Sequence, residues 1–370
     1  MQYKRIVIKL GTNLITGGSG RLDLKVMADL AGQVAELHRK GHEIIIVSSG
    51  AVAAGRELLG INNKRRDIPF KQVMASVGQN RLMNIYYGLF LEHGINVAQA
   101  LLTRADLTDR AHYLNARNTL LALIDLKVVC VVNENDVVCT DELGEQRFGD
   151  NDNLSAMVAN LVDADLLVLL SDVEGLYTSD PQQDRKAKLI PVVETIDIKI
   201  EEMAGGAGSA RGTGGMVTKL EAARLATSSG VPVIIAKGSL PRVIAESASG
   251  KSVGTFFKAR DSKIESRQRW LLSGLSCLGR ISIDKGAAAA LRRNNKSLLP
   301  AGIVEVEGSF LRGDVVDIYE KDGKKVGSGI ANYGSDDLLR IKGERSGVIA
   351  DLLGYEYGDE AIHRDNLALV

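Results

Sequence analysis

Two patterns of hydrophobic positions alternate along the first 260 residues of the chain. Short apolar runs rich in Ile, Val and Leu have the character of strands buried on both faces. Between them lie longer stretches in which apolar residues recur every three or four positions, as in a helix that packs along one side. The strand candidates are residues 6–8, 44–47, 128–132, 166–170 and 231–236.

This alternation of strands and helices is typical of an α/β fold. Apolar positions 24, 27, 28, 31, 34 and 37 form the first helix, so residues 6–47 make one strand–helix–strand unit. We therefore predict an open, mostly parallel sheet sandwiched by helices. Ligands bind at the carboxyl ends of the strands in such sheets, so the loops that follow each strand are the candidate functional segments.

The pattern changes near residue 258, where a charged stretch without an apolar face runs to residue 269. Beyond it, frequent glycine turns and one clear helix at residues 286–293 accompany several short strand candidates. These strand candidates are residues 280–283, 302–306, 315–318 and 347–349, and they predict a small β-rich, barrel-like module. The predicted organisation is a large domain at residues 1–260, a linker at 261–278, the module at 279–358 and a tail at 359–370.

The composition excludes several classes of function. The 370 residues hold 46 basic and 46 acidic side chains, which gives no overall charge that would attract nucleic acid or an anionic membrane. No apolar run reaches the ~18 residues that a membrane span requires. Three cysteines without a C-x-x-C pair indicate a reducing compartment. We therefore expect a cytoplasmic protein whose function depends on specific sites.

The first two strands end in small polar turns. Lys9-Leu-Gly-Thr12 follows the first strand, so Lys9 stands at the sheet edge and Gly11 allows the backbone to approach an anion. Val47-Ser-Ser-Gly-Ala51 ends the second strand, where Ser49 could donate a hydrogen bond to a carboxylate or phosphate. Each turn alone is also compatible with an ordinary strand end.

Short carboxylates and amides are concentrated after the third strand. They form Asn133-Glu-Asn-Asp136 and Gly149-Asp-Asn-Asp-Asn153, the second directly before a helix predicted at residues 154–162. Such groups can bind an ammonium group, hold Mg²⁺ through water or orient a lysine. Ser171-Asp172 ends the fourth strand and could border a nucleotide, with a long solvent loop as the alternative.

A glycine-rich segment at residues 205–216 precedes a strong helix that begins near Val217. Lys219 therefore lies in the first turn, where a cation opposes the helix dipole at a cost of roughly 0.3 to 1 kcal/mol. This placement makes sense if an anion binds between the lysine and the helix N-terminus. The segment is not a Walker A motif, and no G-x-G-x-x-G follows the first strand, so the standard P-loop and Rossmann interpretations fail.

Taken together and in this order, five motifs resemble those of the amino acid kinase family. They are Lys9-Leu-Gly-Thr12, Ser48-Ser-Gly-Ala51, Asn133-Glu-Asn-Asp136, Gly149-Asp-Asn-Asp-Asn153 and Gly212-Thr-Gly-Gly-Met-Val-Thr-Lys219. The C-terminal module resembles a PUA domain, so the resemblance covers almost the entire chain. It implies the amino acid kinase fold for residues 1–260.

The resemblance implies a reaction as well. In the family members that this chain resembles, the γ-phosphoryl group of ATP passes to the side-chain carboxylate of L-glutamate, and Mg²⁺ accompanies the nucleotide. The product, L-glutamyl 5-phosphate, is formed in the first step of proline synthesis and passes to a glutamyl phosphate reductase. We also expect a homo-oligomer, dimer or tetramer, and feedback inhibition by proline. Residues 61–70 are either part of a loop over the glutamate site or a solvated charged loop.

Matching positions give the residues that this resemblance implies. Lys9, Asp152 and Lys219 are the expected catalytic residues, with Asp152 holding both lysines in position. Ser49, Asp136 and Asn151 are expected to bind glutamate, Asp136 and Asn151 towards its α-amino group. The expected ATP-binding residues are Lys9, Ser171, Asp172, Thr213, Gly214, Gly215, Met216, Val217, Thr218 and Lys219. No residue is assigned as a direct metal ligand, because Mg²⁺ is expected to be carried by ATP.

Three other functions compete with this interpretation. A related kinase for aspartate or N-acetylglutamate would share the nucleotide motifs. An RNA-binding protein is the second alternative, since PUA domains also occur in RNA-modifying enzymes, but residues 275–370 hold 13 Lys and Arg against 15 Asp and Glu. A sensor that kept the fold and lost turnover would lack a lysine or the acceptor aspartate, and both are present here.

Overall fold

The computed structural model of the chain describes residues 3–61, 67–139, 151–181, 183–205, 215–251, 253–259, 277–294 and 296–369. The chain divides into two compact units. Met1–Leu107 and Ala116–Asp261 form the large unit, and Thr108–Asn115 and Ser262–Val370 form the small unit. The linker predicted at residues 261–278 lies almost entirely outside the described residues.

An eight-stranded sheet forms the centre of the large unit. Its strands in chain order are β1 (Arg5–Leu10), β2 (Glu43–Ser48), β3 (Val97–Leu102), β4 (Val129–Glu134), β5 (Leu166–Ser171), β6 (Val192–Val193), β7 (Val233–Lys237) and β8 (Thr255–Phe257). They lie side by side in the order β3-β4-β2-β1-β5-β7-β8-β6, and all neighbours are parallel except the antiparallel pair β7 and β8. The predicted open, mostly parallel sheet is confirmed.

Helices connect and cover these strands. They are α1 (Thr12–Ile15), α2 (Leu24–Arg39), α3 (Ala51–Leu59), α4 (Ile68–Leu91), α5 (Arg104–Thr108), α6 (Arg110–Asp125), α7 (Asn151–Leu161), α8 (Ile198–Met203), α9 (Met216–Ser228) and α10 (Val243–Ala248). Every residue of β2 and β5 is buried, which accounts for their continuous apolar runs. No helix in the described residues has both the length and the apolar character of a membrane-spanning segment.

The start of α7 differs from the sequence-based prediction. A helix was expected at residues 154–162, but α7 begins at Asn151, so Asn151 and Asp152 stand in its first turn rather than in a loop. Short polar side chains are favourable at helix starts, because they can satisfy free backbone N–H groups there and their charge complements the helix dipole. The apolar pattern alone could not show this earlier start.

The small unit contains a second, five-stranded sheet. Its strands are β9 (Gly279–Ile283), β10 (Ile303–Gly308), β11 (Val315–Glu320), β12 (Lys325–Ile330) and β13 (Leu367–Leu369), in the order β10-β9-β11-β12-β13. Its helices are α11 (Lys285–Asn294), α12 (Ser335–Ile341) and α13 (Ile349–Leu353), with 3₁₀ turns at Pro300–Gly302, Ser346–Val348 and Arg364–Asn366. Fully buried Ile281, Ile318 and Tyr333 belong to its separate apolar core. The predicted β-rich module is confirmed.

Three details of the prediction for this unit are wrong. Residues 347–349 were expected as a strand and the unit was expected to hold one helix, but a 3₁₀ turn ends at Val348 and α13 follows it. Buried Ile349 made this short helix resemble a strand, because a run of three apolar residues does not distinguish the two periods. In addition, β13 pairs with β12, so residues expected as a tail contribute an edge strand.

Candidate active site

A buried carboxylate lies between two lysines in the large unit. The Oδ1 atom of Asp152 is 2.6 Å from Nζ of Lys9, and its Oδ2 atom is 3.3 Å from Nζ of Lys219. Asp152 is 0% exposed, and the two lysines are 4% and 7% exposed. The structure therefore brings together the three residues predicted to be catalytic, while their catalytic role stays a prediction.

Three elements meet at this cluster. Lys9 is near the end of β1, in register with Val47 of β2 and Leu169 of β5, so it emerges at the middle of the sheet. Asp152 lies in the first turn of α7, and Lys219 lies in the first turn of α9. The carboxylate offsets the unfavourable position of a cation at a helix N-terminus. Lys9 reaches this point at the carboxyl end of a strand, and Asp152 and Lys219 reach it at the starts of helices, so all three groups meet at the carboxyl-terminal edge of the parallel sheet.

The electrostatics of Asp152 favour its charged form. Burial alone would raise the pKa of the Asp152 carboxyl, but the charges of Lys9 and Lys219 and a hydrogen bond from Thr218 hold the pKa below its usual value. The hydroxyl of Thr218 donates to Oδ2 of Asp152 at 3.0 Å. Two ammonium groups thus face one carboxylate, which leaves positive charge for an anionic ligand.

A second group of polar side chains adjoins this cluster through Asn151, the neighbour of Asp152. Nδ2 of Asn151 donates to Oγ of Ser49 at 2.9 Å and to Oδ1 of Asn133 at 3.0 Å. The structure therefore joins two of the three residues predicted to bind the acceptor, Ser49 and Asn151. The third, Asp136, is half-buried in the turn that follows β4.

The turn that presents Ser49 requires a glycine. Gly50 has a φ of +109°, in the region that residues with a side chain rarely adopt. A Cβ atom at this position would lie 2.4 Å from Cδ1 of Ile15. Both constraints explain why the chain turns at Gly50 from β2 directly into α3, leaving Ser49 at the sheet edge.

Ser171 and Asp172 occupy the end of β5. Oγ of Ser171 donates to Oδ1 of Asp172 at 2.9 Å, and Nδ2 of Asn13 donates to Oδ2 at 3.1 Å. Burial would raise the pKa of Asp172, but these hydrogen bonds and the charge of Lys219 lower it overall. Asp172 is therefore a charged group within electrostatic reach of Lys219.

The start of α9 carries the described part of the predicted ATP loop. Nζ of Lys219 donates to the carbonyl oxygen of Gly215 at 3.5 Å, and Oγ1 of Thr218 lies 3.1 Å from the same oxygen, so its single proton is shared between Gly215 and Asp152. Met216 and Val217 are half-buried in the same turn. Thr213 and Gly214 lie outside the described residues, so their predicted role in ATP binding stays a prediction.

Comparison with known families agrees with this geometry. The model of the amino acid kinase family matches residues 4–237, which include the large sheet up to β7 and the whole lysine–aspartate cluster. The chain belongs to the amino acid kinase family. The model of the PUA domain matches residues 279–352, so the predicted C-terminal module of this amino acid kinase is confirmed.

The similarity to other amino acid kinases extends over the full chain. The chain is 56% identical to the glutamate 5-kinase of Dehalococcoides mccartyi strain CBDB1 over 368 residues, an alignment that covers 100% of this chain and 99% of that protein. The glutamate 5-kinase of Photobacterium profundum is 50% identical, covering 99% and 96%, and that of Herpetosiphon aurantiacus is 49% identical, covering 99% and 98%. The prediction of a kinase is confirmed, and a kinase uses ATP as its phosphoryl donor.

Three polar residues of this amino acid kinase had no role in the sequence-based prediction. Asn13 directly follows the first motif and donates to Asp172. Asn133 begins the third motif and contacts Asn151. Both positions could have been found from their place in a motif, whereas Gln79 could not, because it lies within α4 and no motif surrounds it.

Proposed function

We propose that this amino acid kinase transfers the γ-phosphoryl group of ATP to the side-chain carboxylate of L-glutamate, forming L-glutamyl 5-phosphate. The observation that carries the proposal is the buried Asp152 that pairs with both Lys9 and Lys219. The next residue along the chain, Asn151, reaches Ser49 and so links this cationic centre to an acceptor site. Full-length relatives that bear the name glutamate 5-kinase support the choice of glutamate.

The chemistry suits these residues. A carboxylate acceptor is already an anionic nucleophile, so no general base is needed. The main barrier is the repulsion and alignment of two anions, and Lys9 and Lys219 supply the neutralising charge. Asp152 holds both ammonium groups in place, so they need not reorganise when the phosphoryl group moves.

We assign the acceptor to Ser49, Asp136 and Asn151. Oγ of Ser49 accepts a hydrogen bond from Asn151, which leaves the hydroxyl proton free to be donated to a carboxylate. Asp136 and Asn151 face the α-ammonium group of the amino acid. Ser171, Asp172 and residues 213–219 bind ATP, with backbone N–H groups at the start of α9 directed at its phosphates.

Mg²⁺ enters this proposal with the nucleotide. Asp152 already binds two lysines, and Asp172 accepts hydrogen bonds from Asn13 and Ser171. These engaged carboxylates suit a site in which phosphate oxygens and water hold the ion, as Mg²⁺ commonly prefers. When bound, the ion neutralises charge on the triphosphate.

The product implies partners. L-glutamyl 5-phosphate is a reactive acyl phosphate, so we propose that a glutamyl phosphate reductase consumes it in the second step of proline synthesis. Both substrates are cytoplasmic metabolites, and we propose that the enzyme acts there. Proline is the proposed feedback inhibitor, competing at or beside the glutamate site. Within the loop proposed to cover that site, residues 61–70, positions 62–66 lie outside the described residues.

A surface of α4 supports the proposed homo-oligomer. Val73, Tyr87 and Leu91 are more than half exposed and, with half-buried Val77, fall on two positions of a heptad repeat, where Asn80 and Asn84 occupy the middle repeat and interrupt the apolar stripe. Exposed apolar stripes of this kind commonly mark an interface. We propose that two copies of the chain associate through this stripe, in a dimer or within a tetramer.

An acyl-phosphate trap tests the substrate. Hydroxylamine converts an acyl phosphate to a hydroxamate, which we would measure together with ADP release for L-glutamate, L-aspartate and N-acetylglutamate. L-glutamate should give the highest rate with the purified full-length chain. An equal or greater rate with either of the other acceptors would overturn the substrate assignment.

A further inference from the structure

Three side-chain amides form a relay at the acceptor side of the site. Nδ2 of Asn151 donates to Oδ1 of Asn133 at 3.0 Å, and Nδ2 of Asn133 donates to Oε1 of Gln79 at 2.8 Å. The backbone N–H of Glu134 also donates to Oδ1 of Asn133, at 2.9 Å. These bonds determine which end of each amide is the oxygen and which is the nitrogen.

One polar atom at each end of this relay makes no hydrogen bond to the described residues. Oδ1 of Asn151 and Nε2 of Gln79 are buried and have no hydrogen-bond partner within the part of the chain that the structure describes. Folded proteins pair nearly all such atoms, because an unpaired buried polar atom lowers stability. One atom is an acceptor and the other is a donor, so a ligand that carries a donor and an acceptor would satisfy both.

Close packing of α3 against α4 holds Gln79 in this position. A Cβ atom at Gly78 would lie 1.8 Å from the carbonyl oxygen of Ala51, and one at Gly55 would lie 1.9 Å from that of Met74. The two helices therefore touch through their backbones. Since α3 begins two residues after Ser49, Gln79 is fixed beside the turn that presents Ser49.

We propose that Gln79 is a specificity-determining residue, whose Nε2 donates a hydrogen bond to the α-carboxylate of the amino-acid substrate. Oδ1 of Asn151 accepts from the α-ammonium group at the other end of the relay. The inference rests on the proposed function, because it places an α-amino acid at the acceptor site. An α-amino acid carries both groups on one carbon, and their opposite hydrogen-bonding character matches the two free ends.

Two substitutions of Gln79 test this assignment. Gln79→Met removes the amide and keeps a similar length, and Gln79→Glu replaces the donor by a group that repels a carboxylate. We expect KM for L-glutamate to rise about 10- to 100-fold in Gln79→Met and further in Gln79→Glu, because a hydrogen bond to a charged group is lost. KM for ATP should stay unchanged.

A glutamine elsewhere in the large unit provides a matched control. Gln33 on α2 is buried and is paired at both ends, with Nε2 donating to Asp29 and Oε1 accepting from the backbone N–H of Ile244. Gln33→Met therefore also removes a buried amide. It should lower stability without changing KM for L-glutamate.

Truncated ligands separate the two ends of the relay. 4-Aminobutyrate lacks the α-carboxylate and glutarate lacks the α-ammonium group, and the inhibition constant of each against L-glutamate is measured in the hydroxamate assay. In Gln79→Met, the inhibition constant of glutarate should rise by the same factor as KM for L-glutamate. The inhibition constant of 4-aminobutyrate should stay unchanged. Equal weakening of all three ligands, or an unchanged KM for L-glutamate, would overturn the proposal.

The outcome also distinguishes this proposal from the proposed function. If the wild-type chain makes no hydroxamate from L-glutamate, the proposed function fails. If the wild-type chain is active and Gln79 variants alter only kcat or KM for ATP, the proposal for Gln79 fails alone. If both variants misfold, the wild-type chain still decides, because binding of 4-aminobutyrate as tight as that of L-glutamate contradicts a carboxylate contact.

Discussion

Asp152 is the residue on which the site depends most. It is fully buried, and without its charge two ammonium groups would face each other in a poorly hydrated space. Burial of this carboxylate is unfavourable by itself, so the pairing with Lys9 and Lys219 must compensate for it. The two ammonium groups that compensate the buried carboxylate also favour the binding of a phosphate group.

Replacing Asp152 tests its positioning role. We expect Asp152→Asn to lower kcat by about 10²-fold or more, because the lysines lose the group that aligns them. The free energy of unfolding should fall by about 3–5 kcal/mol, as for other broken buried ion pairs. Steady-state kinetics and urea denaturation measure the two effects.

Asp163 provides the control for this substitution. It forms an ion pair of 2.6 Å with Arg117 and lies beyond the C-terminal end of α7, whereas Asp152 lies in the first turn of that helix. Asp163→Asn should lower stability and leave kcat unchanged. Unchanged kcat in Asp152→Asn as well would show that the carboxylate does not position the lysines for the reaction.

The lowered pKa of Asp152 predicts the pH dependence of stability. A carboxyl whose pKa is lower in the folded chain stabilises the fold fully above its unfolded value of 3.8, and this stabilisation is lost as the pH falls through the lower folded pKa. The stability difference between wild type and Asp152→Asn should therefore be constant between pH 5 and 7 and shrink below about pH 4. Denaturation curves across this range measure it; a difference that grows in acid would contradict the assignment.

Among the secondary-structure elements, the crossing of α3 and α4 has the strictest packing requirement. Gly78 and Gly55 let the two backbones touch, and this contact places Gln79 at the acceptor site. Gly78→Ala should lower the melting temperature and raise KM for L-glutamate, because the helices must separate. A crystal structure or a thermal melt with kinetics would detect the change.

Gly88 on the same helix is the matched control. A Cβ atom there meets open space, so Gly88→Ala should stabilise the chain by up to about 1 kcal/mol through helix propensity. If Gly78→Ala behaves like Gly88→Ala, the helix crossing tolerates separation and does not fix Gln79.

The elements also show what the sequence alone could predict. β2 and β5 were predicted closely, because strands buried on both faces form unbroken apolar runs. The role of α4 could not be predicted, since apolar residues surround the helix: Met74 and Leu82 are buried while Val73 and Tyr87 are exposed. The contact between Gln79 and Asn133 joins residues far apart in the chain, and no local pattern encodes it.

Motif residues could be proposed on a different basis. The roles of Lys9 and Ser49 were implied by the resemblance of the ordered motifs to the amino acid kinase family, even though each turn alone is ordinary, and these roles stay predictions. The pairing of Asp152 with both lysines was expected from the family resemblance, but the apolar pattern alone could not show it, because α7 begins three residues earlier than that pattern indicates.

At the scale of the whole molecule, the association of two copies of the chain can be tested by substitutions on α4. The α4 stripe is proposed to pair two copies, so Val73→Glu with Leu91→Glu should shift the chain towards monomer in sedimentation velocity. Leu126→Glu is the control, since Leu126 is 73% exposed and lies outside the stripe. A wild-type monomer, or an unchanged oligomer in the double variant, would contradict this interface.

The charge of the lysine pair is the most direct test of how this kinase forms an acyl phosphate. Hydroxamate formation from L-glutamate and ATP is measured for wild type, Lys9→Ala and Lys219→Ala, with folding checked by circular dichroism. Each folded variant should lose on the order of 10³-fold or more in kcat, as when a cationic group is removed from other phosphoryl-transfer sites. Near-normal turnover in either folded variant would contradict the role assigned to the pair.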